Sequence, residues 1–297
     1  MSLQLFSTLF INGLAMGVVY AMLAMGLILL IRAVGILNFA QGEMFMFGAY
    51  ISAALILDFH LPFFAMIPVA MISFIIVGLI FMFTIYWPLR KASYAATTII
   101  ATMGAAIVLR ELAVLIWGAM PRSMPPLMQT PEGGAAILNI GGTPLPWQFV
   151  LIIIVGAALM LLIYLLFEKL YIGKLMQAAC QNSYAANLIG IPTILTIAAT
   201  YSIVSILVSV GGYMVSPIFT VNNTLGTMQL QAFAGVVIGG FGNIKGAIIG
   251  SLLVGLIEVF STINFSAYRD VSVFLVLIVV LLLRPQGLFG EKIADKA

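Results

Sequence analysis

Charge is what this 297-residue sequence has least of: Asp, Glu, Lys and Arg together make up 7% of it. A soluble domain carries about 25%. Because 63% of the residues are hydrophobic, the chain is expected to be an integral membrane protein of several helices. Its apolar runs are continuous rather than alternating, which argues against a membrane β-barrel. Histidine occurs once, at His60, and cysteine once, at Cys180. A lone cysteine cannot close an intramolecular disulfide, and a lone histidine cannot build a histidine-based metal or triad site. The net charge of +3 is small and the basic residues sit at the ends of apolar runs, so nucleic acid is not an expected partner. No P-loop, H-E-x-x-H or G-x-S-x-G sequence is present. Glu43, Glu111 and Glu258 are scattered rather than paired at helical spacing. Enzymatic chemistry, a bound cofactor and ion coupling within the chain therefore find little support. The N-terminus has no basic n-region and its first apolar run is long enough to span, so no cleavable signal is expected.

What is present is a series of apolar segments, at about 9–31, 39–57, 62–86, 95–117, 147–167, 191–215, 246–262 and 271–283. The expected fold is all-α, one transmembrane helix bundle over 1–297 with eight or nine membrane segments. Between them, 228–240 is apolar but short and is interrupted by Gly235, Gly239 and Gly240, with Asn243 just beyond. Such a segment predicts a broken or re-entrant helix and points to a translocation path. The start of the second segment, with Asn38, Gln41, Gly42 and Glu43, is expected at the membrane edge. A carboxylate there suits the positive end of a helix or the wall of an aqueous path. Gly13 and Gly17, and later Gly250, Ser251 and Gly255, form small-residue faces that let helices approach closely in lipid. Ser202, Ser205 and Ser209 offer interhelical hydrogen bonds.

Two polar stretches interrupt the series. One, at 118–146, is rich in Pro and Gly and is expected to be a long, irregular outer loop. The other, at 171–190, carries Lys174, Gln177, Gln181, Asn182 and Asn187, yet Leu175, Ala178, Ala179, Ala185, Ala186 and Ile189 recur at helical steps. One short surface helix is expected, stopped by Gly190. With this helix inside, eight basic residues (Arg32, Arg90, Lys91, Lys169, Lys174, Arg284, Lys292 and Lys296) flank the inner side and two, Arg122 and Arg269, the outer. That asymmetry places the N-terminus outside and the tail at 284–297 inside.

The sequence resembles the permease subunits of ABC importers for branched-chain amino acids, in particular the smaller of the two. INGLAMGVVYAMLAMGLILL is similar to the family's opening span. GILNFAQGEMFMFGAY matches its NFA-[HQ]-G-[DE] signature, with Gln41 where histidine is common. IGGFGNIKGAIIGSLLVGLIE and LRPQGLFG match its Gly-rich segment and its ending. The resemblance implies that 171–190 is the cytoplasmic coupling helix that seats on an ATPase, with Lys174, Met176, Gln177, Ala178, Gln181, Asn182, Ala185, Leu188 and Gly190 as docking residues. Met176 and Gln181-Asn182 make this loop less charged than the family pattern, so hydrogen bonds and apolar packing would carry more of the docking. It further implies two cytoplasmic ATP-binding subunits, a second related permease, a periplasmic binding protein, the bacterial inner membrane and ATP-driven alternating access. The competing expectation is a stand-alone secondary transporter or channel.

Overall fold

The computed structural model describes residues 3–90, 94–129, 134–140, 143–265 and 268–290. The chain is organised around α1 (Leu3–Val34), whose 32 residues rise about 48 Å at about 1.5 Å per residue. From Ala15 to Leu30 this helix is buried on all sides. Helices α6 (Trp147–Glu168), α9 (Thr193–Val215), α10 (Met228–Gly239) and α11 (Ile244–Phe265) pack around it. The small residues explain the closeness of the α1–α11 seam. A Cβ on Gly17 would lie 2.8 Å from the Leu252 Cα, and one on Gly255 would collide with the Gly17 backbone. Lipid gives apolar side chains no drive to associate, so such backbone approach supplies the packing energy.

Outside this centre lie α2 (Gln41–Ala53), α3 (Phe63–Phe81), α5 (Ala95–Trp117) and α12 (Arg269–Leu283). A π-helical turn, Ala54–Asp58, extends α2; another, Met82–Tyr86, joins α3 to the short α4 (Trp87–Leu89). Ser205 Oγ donates to the Phe74 carbonyl at 2.7 Å and Ser209 Oγ to the Met44 carbonyl at 3.1 Å, tying α9 to α3 and α2. Ser202 instead bonds its own helix, at Ala198. Among the described residues, six helices are long and apolar enough to cross a membrane: Gln4–Val34, Phe64–Leu89, Ala96–Trp117, Trp147–Glu168, Thr193–Val215 and Ile244–Ile263. The chain is thus a polytopic helical protein. Helices α2, α10 and α12 are shorter.

Three expectations need correction. The stretch at 118–146 is not wholly irregular. Strands β1 (Ile137–Ile140) and β2 (Thr143–Pro146) pair antiparallel. The polar stretch at 171–190 is two helices, α7 (Tyr171–Gln181) and α8 (Ser183–Leu188). Asn182 is extended, and its Oδ1 accepts from the Ala185 amide as an N-cap, which breaks the single helix that periodicity suggests. The start of the second segment is not at the membrane edge. Residues 35–40 turn back at Gly35, whose φ of +80° suits glycine, and deliver Gln41 to the Leu23 carbonyl of α1 and Asn38 to Gln229 of α10. Helix α2 therefore begins deep inside rather than at the membrane edge.

Candidate functional site

Gln41 Nε2 donates to the Leu23 carbonyl at 2.7 Å. Leu23 lies eleven residues before Val34, so α2 starts about 16 Å above the end of α1. The short helix α10 starts at the same depth, for its first turns meet the same residues. A 3-10 turn, Leu225–Thr227, brings Gly226 against the Glu43 carboxylate. Gln229 accepts from the Gly42 amide and donates to the Asn38 carbonyl at 2.8 Å. Two helix N-termini thus face each other midway through the bundle, one helix running toward each end of it. Their partial positive charges are complemented by Glu43, in the first turn of α2. Arg110 of α5 reaches Glu43 Oε1 at 2.8 Å. Asn38, Gln41 and Glu43 are buried, and among the described residues Asn38 Nδ2, Gln41 Oε1 and Glu43 Oε2 have no hydrogen-bond partner. Phe39 leans on Phe233, and Phe233 on Phe241, at centroid distances of 5.7 and 5.8 Å.

The other residues expected on a path are placed differently. Gly235 faces Ser251, Gly239 faces Gly246, and Gly250 faces Gly235 and Gly239, so these glycines form the α10–α11 seam. Gly240 abuts Gly290 and Gln286 of the C-terminal segment, whose Leu288 and Phe289 amides donate to the last carbonyls of α10, at Ile238 and Gly239. Asn243 caps α11 through the Gly246 amide and lines an open cavity of about 810 Å³ with Arg32, Lys245 and Glu168.

A second buried carboxylate lies toward the hairpin end. Glu258 accepts from Tyr20 Oη at 2.5 Å and lies 3.7 Å from Arg269 Nε. Gln231 of α10 reaches Asp270 at 3.5 Å. Tyr20, Gln229, Gln231 and the partners of Glu43 and Glu258 escape a reading of the sequence, because ion pairs here join helices far apart in the chain. The visible signal was two glutamines, Gln229 and Gln231, in an otherwise apolar helix.

At the opposite end, α7 is strapped across the ends of α1 and α6. Arg32 pairs with Glu168 and donates to Gln177 Oε1 at 3.0 Å; Gln177 Nε2 donates to the Phe167 carbonyl at 2.8 Å. The Arg32 guanidinium also lies over the Phe167 ring at 5.6 Å. Met176 and Ala179 are buried beneath α7, so Met176 belongs to this seat and not to an outward surface. Cys180 faces the end of α1, and burial raises its thiol above the ordinary cysteine value. Lys174, Ala178, Gln181, Asn182, Ala185, Leu188 and Gly190 are exposed. So are the large side chains Tyr184, Leu188 and Ile189, 74%, 71% and 77% exposed. Lys91, Lys292 and Lys296 lie outside the described residues.

The sequence matches known proteins along most of its length. The family model for the branched-chain amino acid transport system permease component matches residues 9–283. The chain is 30% identical over 297 residues to the high-affinity branched-chain amino acid transport system permease protein LivH of Salmonella typhimurium, covering 96% of both chains. It is 30% identical to the corresponding permease protein BraD of Pseudomonas aeruginosa, again covering 96% of each. A probable LivH of Methanocaldococcus jannaschii is 25% identical, over 91% of this chain and 88% of its own. Among solved structures, a chain of PsaBC from Streptococcus pneumoniae, in complex with Fab, superposes with a TM-score of 0.48 at 15% identity, over 93% of this chain and 89% of that one. The family match spans nearly the whole bundle, from α1 to the end of α12, and the chain belongs to the branched-chain amino acid transport system permease family.

Proposed function

We propose that this chain is the transmembrane subunit of an ABC importer that moves branched-chain amino acids into the cytoplasm, driven by ATP hydrolysis on separate subunits. The observation that carries the reading is the α7–α8 pair. Gln177 and Arg32 hold α7 on α1 and α6 by side-chain hydrogen bonds, while α8 and the residue after it present Tyr184, Leu188 and Ile189 outward. A seated helix with an exposed apolar edge suits force transfer from a soluble partner better than a free loop does. The α7–α8 end then faces the cytoplasm, the N-terminus lies outside, and the hairpin end receives a substrate-binding protein. The bundle acts as one permease domain, beside a second, related permease.

The path is assigned to the meeting point of α2 and α10. Discontinuous helices whose N-termini meet at mid-depth are the usual build of a translocation site. Closure of two ATPases would move the α7 seats, and through α1 the Asn38–Glu43 junction that hydrogen-bonds to it. An autonomous transporter could use the same two short helices, but it gives 184–189 no reason to expose three large side chains.

Ala185→Glu tests the docking half. The substitution places a charge on the exposed face of α8. It should abolish co-purification of P-loop ATPases in mild detergent while leaving membrane insertion and yield intact. Normal co-purification would count against the docking role.

A further inference from the structure

Helix α5 carries a face that the bundle does not cover and that lipid does not suit. Thr97, Gly104 and Glu111 are exposed and recur every seven residues, so they fall on one line along the helix. Exposed apolar side chains flank that line, among them Ile100, Ile107, Val108 and Leu115. A Cβ on Gly104 would meet nothing within 4 Å, so no neighbour among the described residues uses the glycine. Glu111 has no hydrogen bond or ion pair among the described residues. It lies six residues before Trp117, about 9 Å inside the end of the helix. At that depth a carboxylate belongs against protein or a water-filled cleft, not against acyl chains.

Helix α6 shows what lipid does suit. Its exposed residues from Ile154 to Leu165 are Ile154, Ala157, Ala158, Leu161, Leu162 and Leu165, without a polar group. No such polar line runs along the exposed face of α6, so the difference belongs to what covers α5.

The geometry points to the Thr97–Gly104–Glu111 line of α5 as the contact face for a second transmembrane subunit, different from this chain and bearing a Lys or Arg at the depth of Glu111. The glycine admits the partner backbone closely, and the carboxylate needs a cation. A second copy does not provide one. A twofold axis along the membrane normal puts identical residues at the same depth across the seam, so two copies would set Glu111 against Glu111. Arg110 is already engaged by Glu43. This assignment rests on the permease reading above and names the face by which that permease pairs.

The test places a photo-crosslinking residue at position 107, between Gly104 and Glu111, and as a control at position 161 on α6, in tagged chain expressed in its native membrane. The expected result is a discrete adduct with a different membrane protein from position 107 and none from position 161. Glu111→Lys should suppress the adduct, because it would oppose the partner's cation. Adducts of twice the chain's own mass, or equal yields from both positions, would overturn the assignment. The probe at position 107 leaves Glu111 intact, so the test survives poor insertion of Glu111→Lys. P-loop ATPases recovered without the adduct would remove only the α5 face; recovery of neither would remove the permease reading with it.

Discussion

The Glu43–Arg110 pair joins α2 to α5 at the point where two helix N-termini meet, and its two partners are unequally buried. The Glu43 side chain is 3% exposed and that of Arg110 34%. Arg110→Met would strand the carboxylate among Gly226, Gln229 and Asn38, where no other cation is seen among the described residues. Breaking a buried pair in this way costs about 3–5 kcal/mol, and the partial exposure of Arg110 puts the loss near about 3 kcal/mol. Glu43→Gln is milder, about 1–2 kcal/mol, because an amide still accepts a hydrogen bond and the freed guanidinium can turn toward the exposed side of α5. The double variant should recover part of the Arg110→Met loss, with a coupling energy of about 1–3 kcal/mol. Denaturation in mixed micelles, followed by intrinsic fluorescence, measures all three variants. Equal losses for the two single variants, or strict additivity in the double, would refute the view that a desolvated carboxylate dominates this junction.

Two other outcomes follow from local geometry. Gly255→Leu should sharply lower the yield of folded protein, since its Cβ would fall on the backbone of Gly17; the loss should exceed the usual overpacking range of about 1–3 kcal/mol. Gly104→Leu, with nothing among the described residues within 4 Å of its Cβ, should leave the chain's own fold intact, as size-exclusion profiles in detergent would report. Cys180 should react slowly with maleimide near neutral pH and faster as pH rises. Burial raises its thiol, so the reactive thiolate is scarce below the shifted value and grows only above it. Rapid labelling of the folded protein at neutral pH would contradict the seating of α7 on α1.

Much of the helix bundle was legible in the sequence because hydropathy records what lipid demands of each segment. Gly17 and Gly255 were legible as small-residue faces, since spacing alone defines such a stripe; that they meet each other required the fold. The mid-depth start of α2 was not legible. Residues 35–40 read as a turn between spans, and only the bonds of Gln41 to α1 and of Asn38 to α10 show that they climb inward. The break at Asn182 was hidden for a different reason. Apolar periodicity runs through it, and one side-chain hydrogen bond to Ala185 decides against a continuous helix. Glu43, Glu111 and Glu258 looked equally scattered, yet the first two differ completely. Glu43 finds its cation 67 residues away, whereas Glu111, next to that same arginine in sequence, points off the bundle.

The most direct test of the account is uptake of labelled leucine, isoleucine and valine by cells that lack this chain, compared with cells in which it is restored. The account predicts that uptake falls on deletion, returns with the restored chain, persists when ion gradients are collapsed while ATP is maintained, and stops when ATP is depleted. Uptake that is unchanged by deletion, or that follows the ion gradient and not ATP, would contradict it.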